Sequence, residues 1–470
     1  MAKATIQSGT TNLLNTIVGA GILAMPFGLK SNGIVFGSLL ILWSAFMSAF
    51  GLYLQNKVAK YTQQTGAVSY FSLAQLTYPH LSILFDSAIS IKCFGVGVSY
   101  LVVIGDLMPK IMQTLGKTHY LLMERNFWIT LFMLVIVTPL SYLKKISSLR
   151  YTSLISLFTI VYLICLVADH YWFSDIPVDE KVIDYIGPKS FSQTLSSFPI
   201  FVFAYTCHQN MFAIINELKP NDEDGSPTRQ SNCIIRNSIS IAACSYLIVG
   251  LFGYLTFGNQ VNGNIITMYP SNFLSSLIGQ LCIVLMVSLS FPLQCHPCRS
   301  SVNHVIYFLT SGSKTKFRTS TDRQAYTSLE SDLESVNSTV STPNPDGSFV
   351  STTPVEGAQD SDGHDPIIVP LTTKKFYFIT TGIVVASYLV AITVKSLARV
   401  LAFVGSTGST SISFILPGLF GFLLIKPING ATSLNNLEKV CKYGGLVLAI
   451  YGVIVMVVCL TATIFLGAKH

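Results

Sequence analysis

Six consecutive polar or semi-polar residues, Tyr205-Thr206-Cys207-His208-Gln209-Asn210, stand in the middle of the apolar run SFPIFVFAYTCHQNMFAIINEL. On a helix they would cover every face, so some must meet water or a polar cavity. Histidine titrates near neutral pH, which suits His208 to carry a proton; a neutral histidine bonded between helices fits the same pattern. Lys92 and Asp106 share a second apolar run, Leu81–Met112, fourteen residues or about 21 Å of helix apart, too far to pair directly. A charge at the centre of a spanning helix costs ~2.5–3.5 kcal/mol on insertion scales, and such residues mark pathways or proton relays. The plainer readings place Asp106, just before Met108-Pro109, at a membrane interface and let Lys92 snorkel to the surface.

A third feature is a matter of backbone rather than side chains. The stretch Asn12–Leu29 reads NLLNTIVGAGILAMPFGL, with Gly19-Ala20-Gly21 where a spanning helix would cross the bilayer centre. Two glycines in three residues weaken a helix by about 1 kcal/mol each relative to alanine. Pro26 removes a further backbone donor. Broken backbone at membrane depth survives only where it is buried in protein or lines a cavity. There its freed N–H and C=O groups can hold solutes and ions. A close crossing of helices through small residues is the alternative.

The elements that must position these groups are membrane spans. Half of the 470 residues are hydrophobic and 11% are charged, and the mean hydropathy is +0.56, where a soluble chain would be about 25% charged. The chain is expected to be an all-α polytopic membrane protein. Its net charge of +7 then reports loop Lys and Arg and argues for no nucleic-acid partner. Eleven apolar runs fit spans of about 20 residues: 10–30, Gly33–Leu54, Leu81–Met112, Phe127–Leu143, Tyr151–His170, Phe191–Leu218, Ile234–Phe257, Phe273–Phe291, Phe376–Ser396, Val400–Ile425 and Gly444–Leu466. Three segments follow: spans 1–8 over residues 1–310, a loop over 311–370, and spans 9–11 over 371–470. The loop is rich in Ser, Thr, Asp and Gly and is expected to be disordered. Lys57, Lys60, Lys144, Lys145, Arg150, Lys219, Arg229 and Arg236 fall on the side of the N-terminus, which predicts a cytosolic N-terminus and loop and a C-terminus on the far side. The chain starts MAKATIQSGT and reaches its first apolar run at once, so no cleavable leader is expected.

Two further constellations have weaker claims. Cys295-His296-Pro297-Cys298 stands without a second ligand pair at zinc spacing, so no metal site is expected, and nothing calls for a cofactor. GSTGSTSIS, residues 405–413, lacks the lysine and spacing of a phosphate loop; its hydroxyls are better read as helix–helix hydrogen bonds. Ser288 and Ser290 precede Pro292, which frees a backbone carbonyl. With Asn15 of the first span they form an oxygen cluster for a hard monovalent cation, if the fold brings them together.

Taken together, NTIVGAGILAMPFGL, CFGVGVSYLVVIGDLMP, FVFAYTCHQNMFAIINEL, FGYLTFGN, FPLQCHPCRSSV and GSTGSTSISFILPGLFG resemble the amino acid/auxin permease family. Within it the chain is most similar to the fungal vacuolar amino-acid exporters. The resemblance spans nearly all of the membrane portion and implies an inverted-repeat, leucine-transporter-like fold: five spans, five more, and one extra. Spans 1 and 6 would be broken at the substrate. In sodium-coupled relatives the cation site includes an asparagine matching Asn15 and a hydroxyl residue of span 8 matching Ser288 or Ser290; serine stands here where those relatives have threonine. The vacuolar members are proton-driven.

What this implies is a proton-coupled secondary transporter of the vacuolar membrane that exports amino acids, acidic ones among them, from lumen to cytosol. The C-terminus would be lumenal. Every amino acid carries an α-carboxylate and an α-ammonium. Freed N–H groups at Val18, Gly19, Ala20, Gly21 and Ile22 are the expected donors for the first, beside a half-helix N-terminus. Freed carbonyls over Phe203, Ala204, Tyr205 and Thr206 are the expected acceptors for the second. Lys92 is the expected partner of an acidic side chain, and Asn15, Ser288, Ser290, His208 and Asp106 are the candidates for ion or proton coupling. A sodium-coupled neutral amino-acid carrier is the alternative within transport. A non-transporting amino-acid sensor is the alternative outside it. An enzyme is not expected, since no nucleophile–base pair has a recognisable spacing.

Overall fold

The computed structural model describes residues 5–60, 68–70, 73–74, 77–78, 81–117, 119–143, 150–173, 182–188, 190–218, 228–270, 273–311, 371–427 and 434–465. The expected loop, apart from Ser311 at a helix end, lies outside the described residues, as does His470. Among the described residues the regular elements are all helices. The principal ones are α1 (Ile6–Ile17), α2 (Met25–Asn32), α3 (Ile34–Ala59), α4 (Ser82–Thr114), α5 (Arg125–Ser141), α6 (Arg150–Phe173), α7 (Phe191–Ala204), α8 (His208–Glu217), α9 (Thr228–Phe257), α10 (Leu274–Ser311), α11 (Thr373–Thr393), α12 (Leu397–Leu424) and α13 (Asn436–Phe465).

Among the described residues nine helices are long and apolar enough to cross a bilayer, or ten if α1 and the helix Ala20–Asn32, bent by 46°, count as one span. The remaining expected crossing, the fourth, does not stand on the same footing. It corresponds to α5, which is apolar but shorter than the others, and about 20 residues at 1.5 Å each are needed to cross 30 Å of hydrocarbon. A π turn at Met133–Val137 interrupts α5 as well.

The first span breaks where its glycines stand. Val18 and Gly19 leave the helical region (φ/ψ −87/89 and −126/−139), and a 3-10 turn, Ala20–Ala24, carries the chain into α2. Pro26 sits in the first turn of α2, where its missing N–H costs nothing. The sixth span is likewise two helices, α7 and α8, parted at Tyr205-Thr206-Cys207. No glycine or proline lies in that break; Pro199 sits inside α7.

The helices pack as two groups. The broken spans, α3 and α9 form one, and α4, α5, α10 and α11 form the other, with α4 against α10 as the most extensive interface. Helix α6 touches both groups, while α12 packs on α4 and α7 and carries α13 on its outer side. The surface is apolar: Leu39, Phe46, Leu134, Phe378 and Val447 stand more than half exposed, as lipid-facing residues should. The interior holds the polar groups, among them Gln55, His208, Ser288, Ser409 and Ser413. This inversion of the soluble pattern is what a bilayer selects, because each polar group must find its partner inside the protein.

Candidate functional site

The two breaks face one another. A Cβ placed on Gly21 would stand 2.9 Å from both Cα and Cβ of Ala204, closer than side-chain carbons approach, so the backbones of the two broken spans touch here. Helices α1 and α7 present their carboxyl ends, with partial negative charge, to this point; the turn Ala20–Ala24 and helix α8 present their amino ends, with partial positive charge. Helix ends leave backbone groups without partners within the helix, but part of the expected set is already used here: the N–H groups of Val18, Gly19 and Ile22 bond to the carbonyls of Leu14 (2.8 Å), Ile17 (3.1 Å) and Gly19 (3.3 Å), and the Phe203 carbonyl accepts from Thr206 N–H (3.1 Å). Donors and acceptors thus meet in one dry place. Val18, Ala20, Ile22, Ala204 and Tyr205 are each 1% exposed and Cys207 and His208 are 0%, so the breaks are closed to solvent in this conformation.

Side chains from three other elements hold the breaks. Tyr246 of α9 places its hydroxyl 2.8 Å from both the Ile17 and the Ala204 carbonyl, the last of α1 and of α7. Its ring meets the Tyr205 ring edge-on at 5.0 Å. Ser48 of α3 donates to the Tyr205 carbonyl at 3.0 Å, and its own carbonyl lies 3.2 Å from Nε2 of His208. A carbonyl only accepts, so Nε2 carries the imidazole hydrogen and Nδ1 is left without a partner. Gln55 of α3 donates to the His208 carbonyl at 3.4 Å and to the Tyr70 hydroxyl. Ser413 of α12 donates to the Thr206 hydroxyl at 3.1 Å, which donates to the Val202 carbonyl at 2.8 Å. Asn210 of α8 reaches Thr16 of α1 at 2.9 Å, joining the two broken spans beyond the breaks. The hydroxyls of Tyr205 and both amide atoms of Gln209 have no protein partner.

The two charges of the third span meet different fates. Lys92 is 2% exposed, well inside α4, and does not snorkel. It makes neither an ion pair nor a hydrogen bond among the described residues, and it stands within electrostatic range of Cys207 and His208 at the sixth-span break. Gly408 of α12 packs on its backbone; a Cβ there would lie 2.7 Å from the Lys92 nitrogen. Asp106, by contrast, accepts from Arg125 Nε of α5 at 3.2 Å. The same guanidinium donates at 3.0 Å to the carbonyls of Ala391 and Val394. The structure therefore brings Lys92 to the breaks and leaves Asp106 in a junction of α4, α5 and α11.

The residues of the proposed cation cluster lie on α1 and α10. Ser288 is fully buried and donates to the Val284 carbonyl of its own helix at 2.6 Å. Ser290 is buried next to it, and Asn15 is half-buried on α1. Several hydroxyls of 405–413 bond locally, as in Thr410 to the Gly405 carbonyl (2.6 Å) and Ser411 to the Thr407 carbonyl (2.9 Å), across two π turns, Gly405–Ser409 and Ser411–Ile415, while Ser413 bonds between helices, to Thr206. Such turns often accompany functional sites in helices. Tyr246 and Ser48 carry no sequence signal as site residues. Each is a hydroxyl in an apolar run, and such residues are common inside spanning helices; Ser413 belongs to the stretch 405–413, whose hydroxyls the sequence already marked for bonds between helices.

Two broken helices meeting at mid-membrane, gripped by intact ones, define a secondary-transporter fold. The same architecture is found in a solved nucleobase-cation-symport-1 family transporter, in a closed conformation with bromovinylhydantoin bound: TM-score 0.53, 12% identity, covering 99% of this chain and 91% of that one. Residues 2–458 match the family described as "Transmembrane amino acid transporter protein", and the chain belongs to that family. It is a family of transporters, not of enzymes. The chain is 45% identical to vacuolar amino acid transporter 6 of Saccharomyces cerevisiae, covering 99% of this chain and 100% of that one. It is 38% identical to vacuolar amino acid transporter 5 of Schizosaccharomyces pombe, covering 99% and 95%.

Proposed function

We propose that this protein is a proton-coupled amino-acid exporter of the vacuolar membrane, carrying its solute from lumen to cytosol, with acidic amino acids among its substrates. The observation that carries the reading is the meeting of two helix amino ends and two helix carboxyl ends across the Gly21–Ala204 contact. A zwitterion needs that arrangement, with its α-carboxylate on the N–H groups of 18–22 and its α-ammonium on the carbonyls of 203–206. The vacuolar assignment is supported by the names of full-length relatives. The helix groups fit an inverted repeat in which spans 1–5 and 6–10 correspond.

Coupling is assigned to His208, whose Nδ1 is open to a proton beside the site. Lys92 stands near enough to act on that charge, and two positive charges in a dry site repel. A substrate carboxylate beside Lys92 offsets its charge and favours loading of substrate and proton together. Asp106 completes the proton route at the far end of α4. In vesicles loaded with labelled glutamate, an ionophore that collapses an acid-inside gradient should abolish net efflux, while replacing sodium changes nothing. Efflux that survives the ionophore and needs sodium would falsify proton coupling and move the assignment to Asn15, Ser288 and Ser290 as a sodium site. Binding of glutamate with no flux under any gradient would identify a sensor instead.

The orientation has its own test. Cysteines introduced between 311 and 370 should react with an impermeant maleimide on intact vacuoles, because the inside loops carry the excess of Lys and Arg. Reaction only after permeabilisation would place the N-terminus and that loop in the lumen and His470 in the cytosol.

A further inference from the structure

The Tyr246 hydroxyl lies 2.8 Å from two carbonyls at once, those of Ile17 and Ala204. It has one hydrogen to give. Both carbonyls end a half-helix, and the Ala204 carbonyl is among those on which the proposed function puts the ammonium of a substrate. Gly19 N–H reaches the Ile17 carbonyl at 3.1 Å, whereas the Ala204 carbonyl receives its hydrogen from Tyr246. Tyr246 is itself fully buried, and its ring is held edge-on by Tyr205. An exporter must seal its site twice in each cycle, once loaded and once empty. When loaded, the ammonium satisfies the Ala204 carbonyl. When empty, that carbonyl would be shut into a dry core without the phenol hydrogen, which is costly.

We propose that Tyr246 is a positioning residue that stands in for the substrate ammonium, so that the empty carrier can close and return. The inference rests on the reading of the breaks as the amino-acid site. Tyr246 then competes with substrate for the Ala204 oxygen, and its role is confined to the half of the cycle in which no substrate is bound. Exchange of one amino acid for another never passes through the empty closed carrier; net efflux does so at every turnover.

The test separates those two modes. In vesicles carrying the full chain, Tyr246→Phe keeps the ring and removes the hydrogen. With a labelled amino-acid mixture as probe, net efflux should fall about tenfold, the factor that one hydrogen bond carries. Exchange, with the same mixture on both sides, should hold within about twofold, and its half-saturation concentration should fall because a competitor is gone. A variant that loses exchange along with net efflux, one that loses neither, or one whose half-saturation rises overturns the proposal. Should Tyr246→Phe fail to reach the membrane, 3-fluorotyrosine incorporated at 246 keeps the fold and strengthens the donor. Its half-saturation concentration should rise severalfold, and an unchanged value is the overturning result. Gly21→Val in the same vesicles reports on the underlying site reading independently: loss of both modes upholds that reading, and retention of both discards it whatever Tyr246 does.

Discussion

Gly21→Val should abolish export of every amino acid while the protein still reaches its membrane in normal amount. The glycine lies on the contact between the two broken spans: a Cβ there meets Ala204 Cα and Cβ at 2.9 Å and Phe203 Cδ1 at 3.5 Å. Valine adds two further methyl groups against that backbone. Overpacking of a filled core costs about 1–3 kcal/mol, and here the strain falls on the one place where the breaks must close. From the sequence, the same substitution is expected to obstruct the path of the α-carboxylate to the backbone. The tertiary contact adds a second reason, since the turn Ala20–Ala24 could no longer rest on α7. The measurement is efflux of a panel of acidic, neutral and basic amino acids, with abundance in the vesicle membrane as the control. Efflux above about a tenth of wild type for any of the panel would show that the Gly21–Ala204 contact is dispensable and the site lies elsewhere.

Lys92→Gln has the second large effect, and it is selective. Lys92 is 2% exposed and makes no ion pair with a carboxylate among the described residues. A buried charge without a partner is expensive, and in membrane spans it marks a functional position. Glutamine keeps most of the length and volume but cannot offer a full positive charge. A hydrogen bond to a charged group is worth about 1.5–3 kcal/mol, so export of glutamate and aspartate should fall about ten- to hundredfold relative to alanine. Neutral amino acids should keep most of their rate, because their recognition rests on backbone groups of 18–22 and 203–206. The quantity to read is the ratio of glutamate to alanine efflux in the same preparation. An unchanged ratio, whatever the absolute rates, removes Lys92 from substrate recognition and with it the case for acidic cargo.

The sequence by itself determined the membrane class, the runs that become long helices, and the positions of both breaks. Those features are local. Hydropathy over about 20 residues decides partition into a bilayer, and Gly19, Gly21 and Pro26 weaken one helix through their own backbone chemistry. In the sixth span the polarity of 205–210 pointed to a wet or polar cavity, while the break itself was implied by the family resemblance, with no glycine or proline to mark it. What only the tertiary structure decided is which polar groups meet. Lys92 and Asp106 look alike as charges in one apolar run, yet Arg125, on the next helix, takes Asp106 while Lys92 turns to the breaks. Helix α5 has the same limit: its run, Phe127–Leu143, was short in the sequence too, but the π turn that interrupts it emerges only from the folded backbone. Tyr246, Ser48 and Ser413 act on groups 229, 157 and 207 residues away along the chain. The partners of the first two are main-chain carbonyls, present at every residue and marked by none, so no side-chain pattern records which of them packing will leave exposed to a phenol or a serine.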